Sequence, residues 1–261
     1  MERMAEVVPD TDYQRLQHFL SHSPWDHAAV MRQVAQEADR LLGGQPDTCL
    51  LIDESAFVKK GNESAGAARQ WCGRLGKIEN CQVGVFAVLS AGERHVPVNG
   101  RLYLPQRWVD EPARCRRAGI PEAAIRPCSK ARHALEMVQQ ARVDGLRFGW
   151  VGLDGGYGKE PWLLRALAAA GETFLADVHK DQMVWLADPQ PQVPAPNGRG
   201  RRPSKPQPQA AGITLQNWLS RQPCTAWRRI DLRAGTRGRA VQRFGIAMRA
   251  SRWSSPARAA R

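Results

Sequence analysis

Two aspartates about a hundred positions apart carry the strongest chemical signal in this 261-residue chain. Asp53 closes the apolar run Cys49-Leu50-Leu51-Ile52, and Asp154 closes Phe148-Gly149-Trp150-Val151-Gly152-Leu153. Both runs read as buried strands. Each places one carboxylate at or just past a strand's carboxyl end, where open α/β sheets collect their ligands. Two such carboxylates could share divalent metal ions and support phosphodiester chemistry. One ion would activate the attacking water or 3′-hydroxyl, and the other would stabilise the leaving oxygen. A lone aspartate in this position is often only a turn or helix cap, so the signal lies in the pair. Glu54 follows Asp53, but successive strand residues point to opposite faces. It is expected either against a partner or in solvent.

The surrounding pattern supplies elements to hold the pair. Residues 12–42 read as helical, with Tyr13, Leu16, Phe19 and Leu20 on one stripe. Ser23-Pro24 punctuates the run, so Ser23 is expected to cap a second helix with Pro24 at its first position. A strand over 49–57 follows, then a loop over 59–66. Residues 82–90 and 95–104 form a hairpin pattern around the turn 91–94. A helix over 130–143 leads to the Asp154 strand. A glycine turn at 155–158, a helix over 160–170 and a strand over 172–178 complete the series. A three-strand antiparallel start followed by helix, strand, helix, strand fits an α/β, ribonuclease H-like mixed sheet flanked by helices. In that arrangement the first and fourth of these strands lie side by side, which would make Asp53 and Asp154 neighbours.

Charge separates the chain into two parts. The formal net charge is +13, but residues 181–261 carry 15 Arg or Lys against three Asp, a net of +12. The first 180 residues are therefore nearly neutral, and a basic tail suits a polyanionic partner. Seven prolines fall within 189–208, which excludes a helix or central strand there. From Arg233 onward there are eight arginines and no acidic residue, and no apolar period persists. The expected organisation is 1–45 as a helical N-terminal remnant and 46–188 as the catalytic core. A Pro-rich linker or insertion at 189–210, a partial continuation of the core at 211–235 and a disordered basic tail at 236–261 follow.

The six cysteines include no CxxC pair, and Cys72 and Cys81 lack the paired spacing of a zinc site; they read as reduced thiols. His18, His22 and His27 read as surface residues on a helix. Gly155-Gly156-Tyr157-Gly158 lacks the Lys-Ser/Thr of a phosphate-binding loop and reads as a sharp turn. Lys59, Lys60, Arg69, Arg74 and Lys77, with Trp71 among them, form one basic cluster. Arg114, Arg116 and Arg117 form another. Either could grip DNA phosphates. No apolar stretch is long enough to span a bilayer.

Together these residues resemble insertion-sequence transposases of the DDE superfamily endonuclease group. The matching segments are Leu50-Leu51-Ile52-Asp53-Glu54 with Phe57-Val58-Lys59-Lys60-Gly61, then Ala68-Arg69-Gln70-Trp71-Cys72-Gly73 and Gly76-Lys77-Ile78-Glu79-Asn80-Cys81-Gln82-Val83-Gly84. Arg101-Leu102-Tyr103-Leu104-Pro105, Arg114-Cys115-Arg116-Arg117-Ala118-Gly119-Ile120-Pro121 and Asp154-Gly155-Gly156-Tyr157-Gly158 continue the pattern. The resemblance covers about residues 1–235. It implies a ribonuclease H-like core with an Asp, Asp, Glu triad, using Mg²⁺ or Mn²⁺ to cut DNA at an element's ends and join it to a target. Asp53 matches the first acid and Asp154 the second.

The third acid should be a glutamate on a later helix, yet no glutamate follows Glu172. The resemblance therefore implies a transposase remnant, short at both ends and inactive alone. The alternative is a non-catalytic DNA-binding protein that interferes with full-length transposase. A weaker third reading is an unrelated metal-dependent hydrolase. Implied partners are DNA (element ends and target) and a second copy or full-length transposase, with no membrane. The implied location is the bacterial cytoplasm, at the nucleoid.

Overall fold

Strand β1 (Cys49–Val58) is the axis of a six-stranded mixed sheet in the computed structural model of the chain. The structure describes residues 5–7, 9–24, 26–196, 198 and 202–223, and the backbone of 228–234 and 240–245. Two compact units are distinguished, Met1–Val178 and His179–Arg261.

In the first unit β1 runs antiparallel to β3 (Lys77–Ala91), from Cys49 opposite Ser90 to Val58 opposite Cys81. On its other side β1 runs parallel to β5 (Trp150–Leu153), which runs parallel to β6 (Phe174–Ala176). The far edge of the 15-residue β3 is shared by two shorter strands. β2 (Ala68–Cys72) pairs with its start and β4 (Arg94–Leu102) with its later part. The sheet thus has the mixed architecture expected, with the strands of Asp53 and Asp154 adjacent. Strand β2 was not foreseen. Its Ala68 and Cys72 are buried while Arg69 and Trp71 are exposed, too short and polar a pattern to separate from loop.

Alternation along β1 divides the sheet faces. Leu50 and Ile52 pack with Val85, Ala87 and Leu89 of β3 in the main core. Three helices cover that face: α2 (His27–Leu42) through Ala35, Ala38 and Leu42, α5 (Lys130–Val143) through Ala134, Met137 and Val138, and α7 (Pro161–Ala169) through Leu163 and Leu167. Each fully buried aliphatic side chain here contributes roughly 1.5–3 kcal/mol. The opposite face, bearing Asp53 and Phe57, is more open: Phe57 is 51% and Leu175 66% exposed.

Two helix starts show what fixes them. α1 (Tyr13–Ser21) is capped by Asp12, which accepts a hydrogen bond from the Arg15 amide at 2.8 Å. α2 is capped by Asp26, which accepts from the Ala28 amide at 2.9 Å. The expected Ser23-Pro24 start is therefore incorrect. The side chain that satisfies an orphan amide lies three residues later. α5 has the expected bounds, and Ser129 caps it by accepting from the Arg132 amide at 3.1 Å.

Between β4 and α5 the chain makes α3 (Gln106–Val109), α4 (Pro112–Arg117) and a 3₁₀ turn, Glu122–Ala124. Leu104, Trp108, Cys115 and Ile120 form a separate small core. It is tied to the sheet region by the Trp108 indole N–H, which donates to the Ala67 carbonyl at 2.8 Å.

The second unit is sparse. β7 (Met183–Val184) pairs antiparallel with β8 (Ile213–Thr214), and α8 (Leu215–Ser220) follows, capped by Thr214. Among the described residues the Pro-rich 189–208 contributes only one isolated bridge, Gln192 with Gln207, as proline content requires. β9 (Arg228–Ala234) pairs antiparallel with β10 (Ala240–Gly245). β10 lies inside the segment expected to be disordered. The rest of 236–261 lies outside the described residues.

Candidate metal centre

The parallel pairing of β1 with β5 sets Ile52 opposite Leu153. The next residues are Asp53, midway along β1, and Asp154, just past the end of β5, so the two acids lie side by side at roughly 5 Å strand spacing. The expected strand-end position holds for Asp154 and not for Asp53, because β1 continues in register with β3 to Val58. A Cβ built on Gly152 would meet Leu51 at 2.6 Å, so these two positions share a face. Asp53 and Asp154 each lie two residues further on, and alternation puts Asp53 on that same open face.

Both carboxylates are oriented by the backbone. Asp53 Oδ1 accepts from the Glu54 amide at 2.7 Å, and Asp154 Oδ1 accepts from the Gly156 amide at 2.9 Å. Asp154 is the N-cap of the short helix α6 (Gly155–Gly158). Its first two glycines allow the chain to turn at the strand end, as the sequence suggested. Gly158 is there for another reason: a Cβ would fall 1.7 Å from the Asp177 carbonyl oxygen just beyond β6. Only glycine lets α6 press against that strand end.

Charge at this edge is unbalanced. Asp53 titrates above the ordinary aspartate range, first because the surrounding chain desolvates it, and further because Asp154 and Glu54 repel its charge; the Glu54 amide opposes the shift. Two neighbouring carboxylates form a hard oxygen donor set suited to Mg²⁺ or Mn²⁺. Glu54 occupies the other face, where Lys130 at the start of α5 holds it at 2.7 Å. The Lys130 ammonium also lies 5.4 Å from the Tyr103 ring centre.

Sequence reasoning passed over Tyr157. It is 3% exposed, and its hydroxyl has no hydrogen-bond partner among the described residues. Burial pushes its pKa far up, and the charges of Glu54, Asp154 and Asp53 push it further. An aromatic three residues past Asp154 was the only available signal.

The basic residues divide by environment. Lys60, Arg69 and Arg74 are exposed on the segment after β1 and on the β2–β3 hairpin, with Lys59 half-buried beside them. Lys77 is exposed and pairs with Glu79 at 3.1 Å. Arg117 is exposed on α4. Arg116 makes a two-pronged pair with Glu122, both contacts at 2.8 Å. Arg114 stacks 4.0 Å over Trp108 and donates to the Asn62 carbonyl at 2.6 Å, which holds the small core to the loop after β1.

Among the described cysteines, Cys49, Cys72, Cys81 and Cys115 are buried free thiols and Cys128 is half-buried. His18 and His22 stack, ring centres 5.3 Å apart, on the exposed α1.

A family model described as DDE superfamily endonuclease matches residues 1–239. The chain belongs to the DDE superfamily endonuclease family. It is also 35% identical, over 92 residues, to a probable transposase for insertion sequence element IS701 from Microchaete diplosiphon. That match spans 35% of this chain and 23% of the relative's length. Members of this family generally use divalent metal ions. Among the described residues, no helix is long and apolar enough to cross a membrane.

Proposed function

We propose that this chain is the metal-binding catalytic core of an insertion-sequence transposase, a nuclease that cuts DNA at the element's ends and joins the 3′-hydroxyl to a target. What supports the reading is the register that sets Asp53, midway along β1, beside Asp154, just past β5, in a chain of this family. Asp53 and Asp154 would hold Mg²⁺ or Mn²⁺. Once bound, the ions would activate the attacking hydroxyl and stabilise the leaving oxygen. The protein's own part is to orient the carboxylates through the Glu54 and Gly156 amides and to keep Glu54 on the opposite face through Lys130. Lys59, Lys60, Arg69, Arg74, Lys77 and Arg117 would grip phosphates along the edge that begins with the loop after β1. Arg114 and Arg116 reach DNA only by giving up their contacts in the small core and with Glu122.

The family's third acid has no counterpart after Glu172 in this sequence. We infer that these 261 residues alone bind DNA and metal but cleave poorly. The second reading is a non-catalytic DNA-binding protein that pairs with full-length transposase at the nucleoid and interferes with it. Purified protein, Mn²⁺ and labelled DNA carrying the cognate terminal repeats decide between them. Expected are a shifted DNA band and little nicking. Efficient cleavage that disappears in Asp154→Ala would overturn the poor-cleavage reading, and failure to bind DNA would sink both.

A further inference from the structure

Cys128, His133 and Glu136 bring a sulfur, a nitrogen and an oxygen within 4.8 Å of one another, the outline of a metal site. The charges around them argue otherwise. Both Glu136 oxygens already accept guanidinium hydrogen bonds: Arg101 at 2.6 Å and Arg126 at 2.9 Å on one, Arg126 at 3.1 Å and Arg132 at 3.2 Å on the other. A divalent cation would meet three positive charges and a spent carboxylate. Three arginines on one glutamate leave an excess of two positive charges, which calls for an anion.

Those arginines open onto a cavity. Arg101, Arg126, Cys128 and His133 form part of its wall, Leu104 and Ile120 another part, and its volume is about 520 Å³. That is within the usual range for a small-molecule site. A cavity with an apolar wall and a guanidinium pair fits a ligand with a flat apolar body and one anionic group.

Its place in the fold narrows the ligand. Glu54 lies opposite Val85, and Val85 opposite Arg101. The cavity is therefore two strands, roughly 10 Å, across the sheet from Glu54 and on Glu54's face, opposite that of Asp53. α5 spans this interval, holding Glu54 through Lys130 at one point and Arg101 through Glu136 at another.

We propose that this cavity takes one unpaired nucleotide of the DNA, its base against Leu104 and Ile120 and its phosphate on Arg101 and Arg126. The inference rests on the DNA reading above for the source of the nucleotide. A paired base stays outside, because leaving the stack costs a few kcal/mol. The site therefore discriminates frayed, overhanging or single-stranded DNA from closed duplex.

Cys128 is a built-in reporter, since the other four described cysteines are buried. Cys224 lies outside the described residues, so the experiment uses the full chain carrying Cys224→Ser. The rate of Cys128 modification by Ellman's reagent is measured with blunt duplex, with duplex bearing a 3′ overhang, and with deoxyadenosine monophosphate. Fluorescence anisotropy reports DNA binding separately. Overhang DNA and the mononucleotide are expected to slow modification severalfold, and blunt duplex to bind without slowing it. Arg126→Ala should remove the protection while DNA still binds. Ile120→Trp, which fills the cavity, should do the same if Arg126→Ala proves unstable. Bound overhang DNA that leaves the Cys128 rate unchanged would overturn the proposal, as would protection by Zn²⁺ in place of the nucleotide. If no DNA binds, the DNA reading fails, and the mononucleotide alone decides whether the cavity is an anion site.

Discussion

Asp53 is exposed and Glu136 half-buried beside the same sheet, and their surroundings push the two carboxylates in opposite directions. Asp53 lies beside Asp154, and burial, with the charges of Asp154 and Glu54, raises its pKa. Burial also pushes the Glu136 pKa upward, but the guanidinium hydrogen bonds and charges of Arg126, Arg132 and Arg101 outweigh it and bring it below the ordinary value. One carboxylate lacks its counter-charge and the other already has three. The first suits the cation that the proposed function would bring to it. The second is a fixed part of the fold that leaves positive charge to spare. Residue type alone does not separate a ligand from a structural anchor; the charge around it does.

The pair can be pulled apart experimentally. The largest effect belongs to Asp154→Ala, expected to weaken Mn²⁺ binding by about a hundredfold or more, near 2.7 kcal/mol, as read by the electron paramagnetic resonance of free Mn²⁺. Unchanged affinity would remove Asp154 from the metal site. Next is Glu136→Gln, which leaves three guanidiniums facing one another. A loss of about 1–3 kcal/mol in urea unfolding at pH 7 is expected, with little loss near pH 3, because the stabilisation from a lowered carboxylate pKa is present above the unfolded value and fades as pH falls.

Asp53→Asn should act in the reverse sense and more weakly. The raised pKa of Asp53 favours the folded state at low pH, and that contribution is lost as pH rises through its folded value. Removing the charge should therefore leave the metal-free protein equally or slightly more stable at pH 7, by less than about 1 kcal/mol at so exposed a site. The rise in melting temperature that Mg²⁺ gives the parent, expected to grow between pH 4 and pH 7, should vanish. A variant that responds to Mg²⁺ like the parent would break the comparison. The smallest effect is reserved for Arg116→Ala. Its pair with Glu122 is exposed on both sides, so solvent screens it and the urea midpoint should not shift measurably.

How much of this was legible in the sequence depends on locality. The strands of Asp53 and Asp154 are continuous apolar runs ending in an acid, and their side-by-side placement follows from the order of elements. α5 was visible from its period and its Ser129 cap. β2 was not, because a short edge strand with Arg69 and Trp71 in solvent carries no alternating apolar signal. The start of α2 was misplaced because Ser23 and Asp26 are both good caps, and Pro24 lent weight to the wrong one. The arginine fork was invisible for a different reason. Arg101 comes from β4, Arg126 from a loop and Arg132 with Glu136 from α5. Only the last two, four residues apart on one helix, leave any mark in the sequence.

The parallel contact between β1 and β5 has a temporal side as well. Asp53 leaves the ribosome about a hundred residues before Asp154, a delay of roughly 5 to 20 s at ordinary rates of synthesis. Throughout that interval the growing chain owns one half of the proposed ion-binding pair and has nothing to close it with. Whatever reactivity the finished edge possesses is withheld from the nascent polypeptide until the second half has been translated.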